Sequence, residues 1–212
     1  KDNTLQTLIH YFDLKRIDYL YQSKIPTEMV RGIYLNRSRP KLIVVDKVNG
    51  GKADSLNVGI NIAKNEYICG IDADSLLEDD ALLKLVSLTL DEEMETPALG
   101  GNILPVNGCV VEFGEIVEKH LPKNRLAKFQ MMEYIRAFMS GRLGWSFLNS
   151  LLIISGAFGI FRKERVIGVG GYLTSKGRYN KNTVGEDMEL VVRITRQMKE
   201  KKNEFKILYA YN

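Results

Sequence analysis

The chain has 212 residues, long enough for one large domain with a substantial core. Hydrophobic residues make up 45% and charged residues 26%, which excludes a disordered or fibrous chain. A formal net charge of +4 is too mild for a nucleic-acid partner, which needs a basic stripe with interleaved aromatics. His10 and His120 are too isolated for a histidine metal site, and Cys69 and Cys109 lack the paired spacing of a zinc site. The two cysteines read as buried thiols in a reducing compartment. No apolar run reaches the roughly 18 residues that span a bilayer, and no signal peptide is visible.

In chain order, Leu5, Leu8, Ile9 and Phe12 share one face of an amphipathic helix, capped at Asn3 or Thr4. Residues 15–40 read as a short strand, a loop and a variable connector. The stretch 41–74, KLIVVDKVNGGKADSLNVGINIAKNEYICGIDAD, is the one around which the chain is organised. Leu42-Ile43-Val44-Val45 is an unbroken apolar run, expected as a strand buried on both faces. Asn49-Gly50-Gly51 breaks the chain, and Ala53, Leu56, Ile60 and Ala63 then fall at helical spacing. A second strand, Tyr67 to Ile71, carries Asp72-Ala73-Asp74 at its C-terminal end, completing a βαβ unit.

Ligands of open α/β sheets sit beyond the carboxyl ends of the strands, so a site is expected at Asp72 and Asp74. In extended chain both carboxylates point to one side and can converge on one hard cation or its waters. Such a cation neutralises a diphosphate, and Lys52, at a helix start past the glycine turn, is placed for phosphate.

The acidic cluster Glu78, Asp79 and Asp80 reads as a helix N-terminus ahead of Ala81, Leu82, Leu85 and Val86. Ala98 to Leu104 is expected as a strand. Residues 124–142 hold the longest helical pattern, and its stripe of Leu126, Phe129, Met132, Ile135, Ala137, Phe138 and Met139 suits a membrane or a sugar but is expected first to pack on a sheet. Trp145 fits either a packing role or a stack against a sugar face. A second signature spans 152–190: LIISGAFGIFRKERVIGVGGYLTSKGRYNKNTVGEDMEL. Leu152 to Ser155 is expected as a strand, with Gly156 and Gly159 as bends open to a ligand and Ile160-Phe161 as a further strand. Gly168 to Gly171 lacks the spacing and the preceding strand of a dinucleotide fingerprint. Glu186-Asp187 precedes Leu190, Val191 and Ile194 at helical spacing, and Phe205 to Tyr209 reads as a last strand.

GGKADSLN followed by a strand and DAD, and then SGAFGIFRKERV, VGGY and EDMEL in that order, resemble the family 2 glycosyltransferases of the GT-A fold. The resemblance covers roughly residues 41–210. It implies an α/β protein, a GT-A (Rossmann-like) three-layer sandwich with a mostly parallel central sheet. It further implies a single catalytic domain over 1–212, with a nucleotide-sugar and metal half at about 1–104 and an acceptor half at about 105–212. By the same resemblance Asp72 and Asp74 hold Mn²⁺ or Mg²⁺, and Lys52, Asp54, Asn57 and Asp72 bind the donor, a UDP-sugar. Asp187 is the catalytic base, with Glu186 as its neighbour. The partners implied are a nucleotide-sugar donor and a glycan or lipid-linked acceptor, at the cytoplasmic face of a plasma membrane.

Family members open with a βαβ unit that ends in an acidic turn, and Lys1-Asp2 resembles the tail of that turn. A fragment lacking its first βαβ, weak or inactive alone, is therefore expected. The QxxRW motif and flanking transmembrane helices of processive members are absent from the sequence. Two other readings fit the same residues: a nucleotidyltransferase attacking an α-phosphate, and a non-catalytic scaffold subunit of a membrane polysaccharide synthase.

Overall fold

A computed structural model describes residues 2–174 and 185–210. The described residues form two compact units, one of 2–64 with 170–174 and one of 65–169 with 185–210.

The first unit begins with helix α1 (Thr4–Phe12) and strands β1 (Lys15–Ile17), β2 (Val30–Asn36) and β3 (Arg39–Lys47). Helix α2 (Gly51–Ile62) comes next. Leu5, Leu8, Ile9 and Phe12 are the half-buried face of α1, as their spacing predicts. Its first N–H group is met by Asp2, whose Oδ1 accepts from the Thr4 N–H at 3.3 Å, while the Asn3 side chain makes no cap bond. The three strands form one antiparallel sheet in the order β1-β2-β3. Ile33, Val58 and Ile62 are its buried centre, with Ile43 and Val45 of β3 packed against them. The expectation that 42–45 is buried on both faces fails, because β3 is an edge strand with only one face on this core. Its partner β2 lies in the stretch read as a connector, and the β2–β3 turn is fixed by the Ser38 N–H donating to Asn36 Oδ1 at 2.9 Å.

The second unit runs through β4 (Tyr67–Ile71), α3 (Ala81–Ser87), β5 (Ala98–Gly100), β6 (Val110–Glu112), β7 (Glu115–Glu118) and α4 (Arg125–Tyr134). A π-helical segment, Ile135–Arg142, leads to α5 (Leu143–Phe147), β8 (Phe158–Arg162), α6 (Lys163–Gly168), α7 (Glu186–Glu200) and β9 (Leu208–Tyr209). The main sheet has the order β4-β8-β5-β9. Leu85, Leu99, Phe158, Ile160 and Ala210 form one buried cluster, and α7 buries Leu190, Val191, Ile194 and Met198. The acids ahead of α3 behave as a helix start: Lys84 pairs with Glu78 at 3.0 Å and with Asp80 at 3.1 Å.

The chain is thus mixed α/β, but its described ladders are not mostly parallel. β3 and β4 belong to different sheets, and β8 enters antiparallel between β4 and β5. Parallel pairing is confined to β5 with β9 and a bridge between Glu95 and Phe205. The strand expected over 98–104 ends at Gly100. The strand expected over 152–155 is absent, because that segment folds over β8 instead of joining a ladder. Ile154 is fully buried, and a Cβ on Gly159 would lie 2.4 Å from its Cγ2. The glycine therefore admits this side chain, not the ligand approach expected of it. Cys69, expected to be buried, is exposed, since alternate residues of the edge strand β4 face outward; both cysteines are free.

The stripe on the long helix is also a correction. Leu126, Phe129, Met132, Ile135 and Met139 are exposed, Phe129 at 65%, while Phe138 takes the core side. No described helix is long and apolar enough to cross a membrane.

Candidate active site

Strand β4 delivers Asp72 and Asp74 just past its C-terminal end, where the sequence places them. The backbone does not run on extended there: Ser75 N–H donates to the Asp72 carbonyl at 3.1 Å, closing a turn. Asp72 is half-buried and Asp74 exposed. Two hard carboxylates at the mouth of a turn suit Mg²⁺ or Mn²⁺, which keep several waters and take substrate oxygens. No group of three or more His, Cys, Asp or Glu that could hold a metal ion comes together among the described residues. The donor chemistry fits a hard cation.

On the first unit, Lys52 stands exposed in the first turn of α2. The other two residues of this motif face inward. Asp54 is 1% exposed, with one oxygen paired to the Lys47 ammonium and the other accepting the Glu28 N–H at 3.0 Å. Asn57 makes a closed pair with Tyr172, donating to its carbonyl and accepting its N–H, both at 2.8 Å. This pair explains the VGGY motif. Gly171 has φ +77°, and a Cβ there would lie 2.6 Å from Asn57 Oδ1 and 2.7 Å from Ile25.

Glu186 and Asp187 open α7, behind Gly185 in the left-handed region at φ +118°. The positive end of the helix favours carboxylates there. Asp187 Oδ2 accepts the Gly156 N–H at 3.1 Å and Oδ1 accepts the Met188 N–H at 2.9 Å. The SGAFG and EDMEL motifs therefore meet at one side chain. Each oxygen retains lone-pair capacity for a substrate proton. Asp187 also lies within electrostatic reach of Arg142, which sequence reasoning took for the end of a helix. The Arg142 guanidinium sits 3.7 Å from the Phe138 ring, and Phe138 stacks on Tyr134 at 5.2 Å. Burial lowers its pKa, against the pull of Tyr209, Asp187 and Tyr134. Burial likewise pushes the Tyr209 phenol up, against the nearby guanidinium. The Arg142 guanidinium and the Tyr209 hydroxyl come within side-chain hydrogen-bonding reach of each other, with Nη1 and the hydroxyl outside strict hydrogen-bond geometry. The signal in the sequence was one arginine inside an apolar run, Phe138 to Phe147. Trp145 is 57% exposed and not part of the core.

Residues 27–163 match the family model of glycosyl transferase family 2, a stretch that includes Lys52, Asp54, Asn57, Asp72 and Asp74. The chain belongs to glycosyl transferase family 2. Among similar proteins is the poly-beta-1,6-N-acetyl-D-glucosamine synthase of Staphylococcus epidermidis (strain ATCC 35984), 31% identical over 124 residues, 58% of this chain and 26% of the synthase. The synthase of the same name from Staphylococcus aureus (strain COL) is 27% identical over 139 residues, 65% of this chain and 30% of the synthase. The matched part of this glycosyltransferase chain spans under a third of these relatives. Asp187 lies beyond the family-matched residues.

Proposed function

We propose that this chain belongs to the catalytic domain, 1–212, of an inverting glycosyltransferase that moves a sugar from a UDP-sugar to a hydroxyl of a glycan or lipid-linked acceptor. The names of the similar synthases favour N-acetylglucosamine as the sugar. The observation that carries the reading is Asp187, fixed by Gly156 at the start of α7 with lone pairs to spare. In inverting transfer the acceptor oxygen bonds to the anomeric carbon while the bond to the diphosphate breaks. The electron pair leaves on the diphosphate, and the acceptor proton passes to one carboxylate, here Asp187. No enzyme nucleophile takes part. Glu186 is its neighbour in the same helical turn.

Asp72 and Asp74 are the residues to hold Mn²⁺ or Mg²⁺, which when bound neutralises charge on the departing diphosphate. On the first unit, Lys52 supplies a cation for donor phosphate. Asp54 and Asn57 serve donor binding through the backbone they fix, since their own polar atoms are engaged within the unit. A GT-A sandwich, and work at the cytoplasmic face of a membrane, belong to the same proposal. The exposed stripe on α4 and the π-helical segment supports the second, with Lys123, Arg125 and Lys128 exposed around its start.

The test is transfer of radiolabelled N-acetylglucosamine from UDP-N-acetylglucosamine by the full-length protein with Mg²⁺. Asp187→Asn is expected to slow transfer by about 10² to 10⁴-fold with donor binding intact. Transfer at the wild-type rate in that variant would overturn the reading.

A further inference from the structure

Trp145, Phe147, Leu148 and Leu152 are apolar residues of the second unit that neither its core nor the proposed chemistry uses. All four are exposed, Phe147 at 86%. The polar side chains between them face the other way. Ser146 is buried, and its hydroxyl donates to the Ile207 carbonyl at 2.9 Å. Asn149, in the left-handed region at φ +48°, donates to the Phe205 carbonyl at 2.8 Å and accepts the Ile207 N–H at 3.2 Å. The Ser150 N–H closes the turn by donating to the Trp145 carbonyl at 2.8 Å. The polar groups of this turn are thus spent on the segment leading into β9, and its apolar side chains are held outward. No charged residue stands between Leu143 and Phe161, so no long charged side chain of this stretch screens them. A left-handed turn fastened in this way to present apolar side chains marks a surface that meets another apolar group.

We propose that this patch receives the hydrocarbon tail of a lipid-linked acceptor, so that the acceptor is a sugar carried on an acyl or polyisoprenoid chain and not a free glycan. The inference rests on the reading of Asp187 as the base. Patch and base are joined by a short piece of chain. Four residues, at most about 14 Å, separate Leu152 from Gly156, whose N–H donates to Asp187 Oδ2 at 3.1 Å. With the acceptor hydroxyl at Asp187, the sugar occupies that interval and its aglycone emerges beside Leu152. A hydrocarbon chain needs neither hydrogen bond nor charge, and Phe147, Leu148 and Leu152 offer neither. A free glycan would bring hydroxyls that these three side chains leave unsatisfied. Trp145, with an apolar ring and one N–H donor, suits the junction between sugar and chain. The patch therefore sets which acceptor is used, and the proton goes to Asp187.

The test uses the full-length protein, UDP-N-acetylglucosamine as donor, and the methyl and octyl β-glycosides of N-acetylglucosamine as acceptors, compared in one preparation. The wild type is expected to show a KM about 10 to 100-fold lower for the octyl glycoside. Phe147→Ser with Leu148→Ser is expected to abolish that preference, leaving the donor KM and the KM for the methyl glycoside unchanged. Both sites are exposed, so unfolding is expected to change little. Leu152→Ser, outside the turn that Asn149 fastens, is expected to reduce the preference about 3 to 10-fold and stays decisive if the double variant fails to fold. A wild type that does not distinguish the two acceptors, or variants that keep the preference, overturn the tail site and leave the base reading standing. So does a rise in KM for both glycosides alike, which assigns the patch to the sugar or to another protein. Transfer that survives Asp187→Asn overturns both.

Discussion

Lys47 and Asp54 show how one residue's environment decides what a motif position does. Asp54 belongs to GGKADSLN and reads as a donor ligand, yet its side chain is 1% exposed and faces an ammonium only 9% exposed. Removing one partner of a buried pair leaves a charge without compensation, whereas replacing both is tolerated. Asp54→Ala is therefore expected to lower unfolding free energy by about 3 to 5 kcal/mol, and Lys47→Met with Asp54→Leu to recover most of it. Urea unfolding of the three proteins checks this, and a double variant as weak as the single one contradicts it. At this scale the sequence shows which residue types carry chemistry but not which of them are spent indoors. The places of Asp72, Asp74 and Asp187 at element ends were legible because each adjoins a recognisable element. Arg142 and Tyr209 were not, since what distinguishes them is a meeting of side chains brought together only by folding.

Elements were legible where a period was long and clean. The faces of α1 and α7 follow from spacing alone, whereas α2 buries Asp54, Asn57, Val58 and Ile62 and, of the four residues expected from spacing, only Ile60. The β2–β3 hairpin was missed because Val30 to Asn36 looked like linker beside Pro26 and Pro40, although the Asn36–Ser38 turn bond carries its own signal. The stripe of α4 and the π-helical segment was legible as a stripe but assigned to the wrong surface, because amphipathicity does not say what covers the apolar side. Between elements, the fastening at Glu95 gives a pH-dependent prediction. Glu95 accepts two hydrogen bonds from Arg165, at 2.6 Å each, and lies 3.3 Å from Arg162 of β8. The Arg165 bond holds its carboxyl below the ordinary range, against the effect of burial. A carboxyl depressed on folding contributes stability above its unfolded pKa, and that contribution is lost as pH falls through the folded value. Unfolding free energy is thus expected to decline between about pH 5 and pH 3, and Glu95→Gln to flatten that decline by about 1 to 2 kcal/mol. Urea titrations across that range measure it; an equally steep decline in the variant would place the acid sensitivity elsewhere.

For the whole molecule, family and reaction class were legible from two signatures in order, while the topology was not. Spacing cannot report that β8 runs antiparallel through the main sheet, because strand direction follows from the path of the intervening chain. The exposed apolar stripe makes a prediction at this scale. An amphipathic face with Leu126, Phe129, Met132 and Met139 outward and basic residues at its start suits an anionic bilayer surface. Phe129→Glu with Met132→Glu is expected to reduce co-sedimentation of the protein with phosphatidylserine vesicles by about tenfold, with little effect on unfolding, because both sites are exposed. Unchanged sedimentation would assign the stripe to something other than lipid.

The two-way bond between Asn57 and Tyr172 joins residues 115 apart in the chain. On a ribosome adding about 5 to 20 residues per second, Asn57 waits roughly 6 to 23 s for its partner to be made. The first unit therefore cannot finish closing in the order in which it is synthesised. Its amino-terminal sheet has to persist with a buried amide unpaired while more than a hundred residues of the other unit are translated. That interval is when a chaperone, or premature cleavage, has its widest opening on this chain.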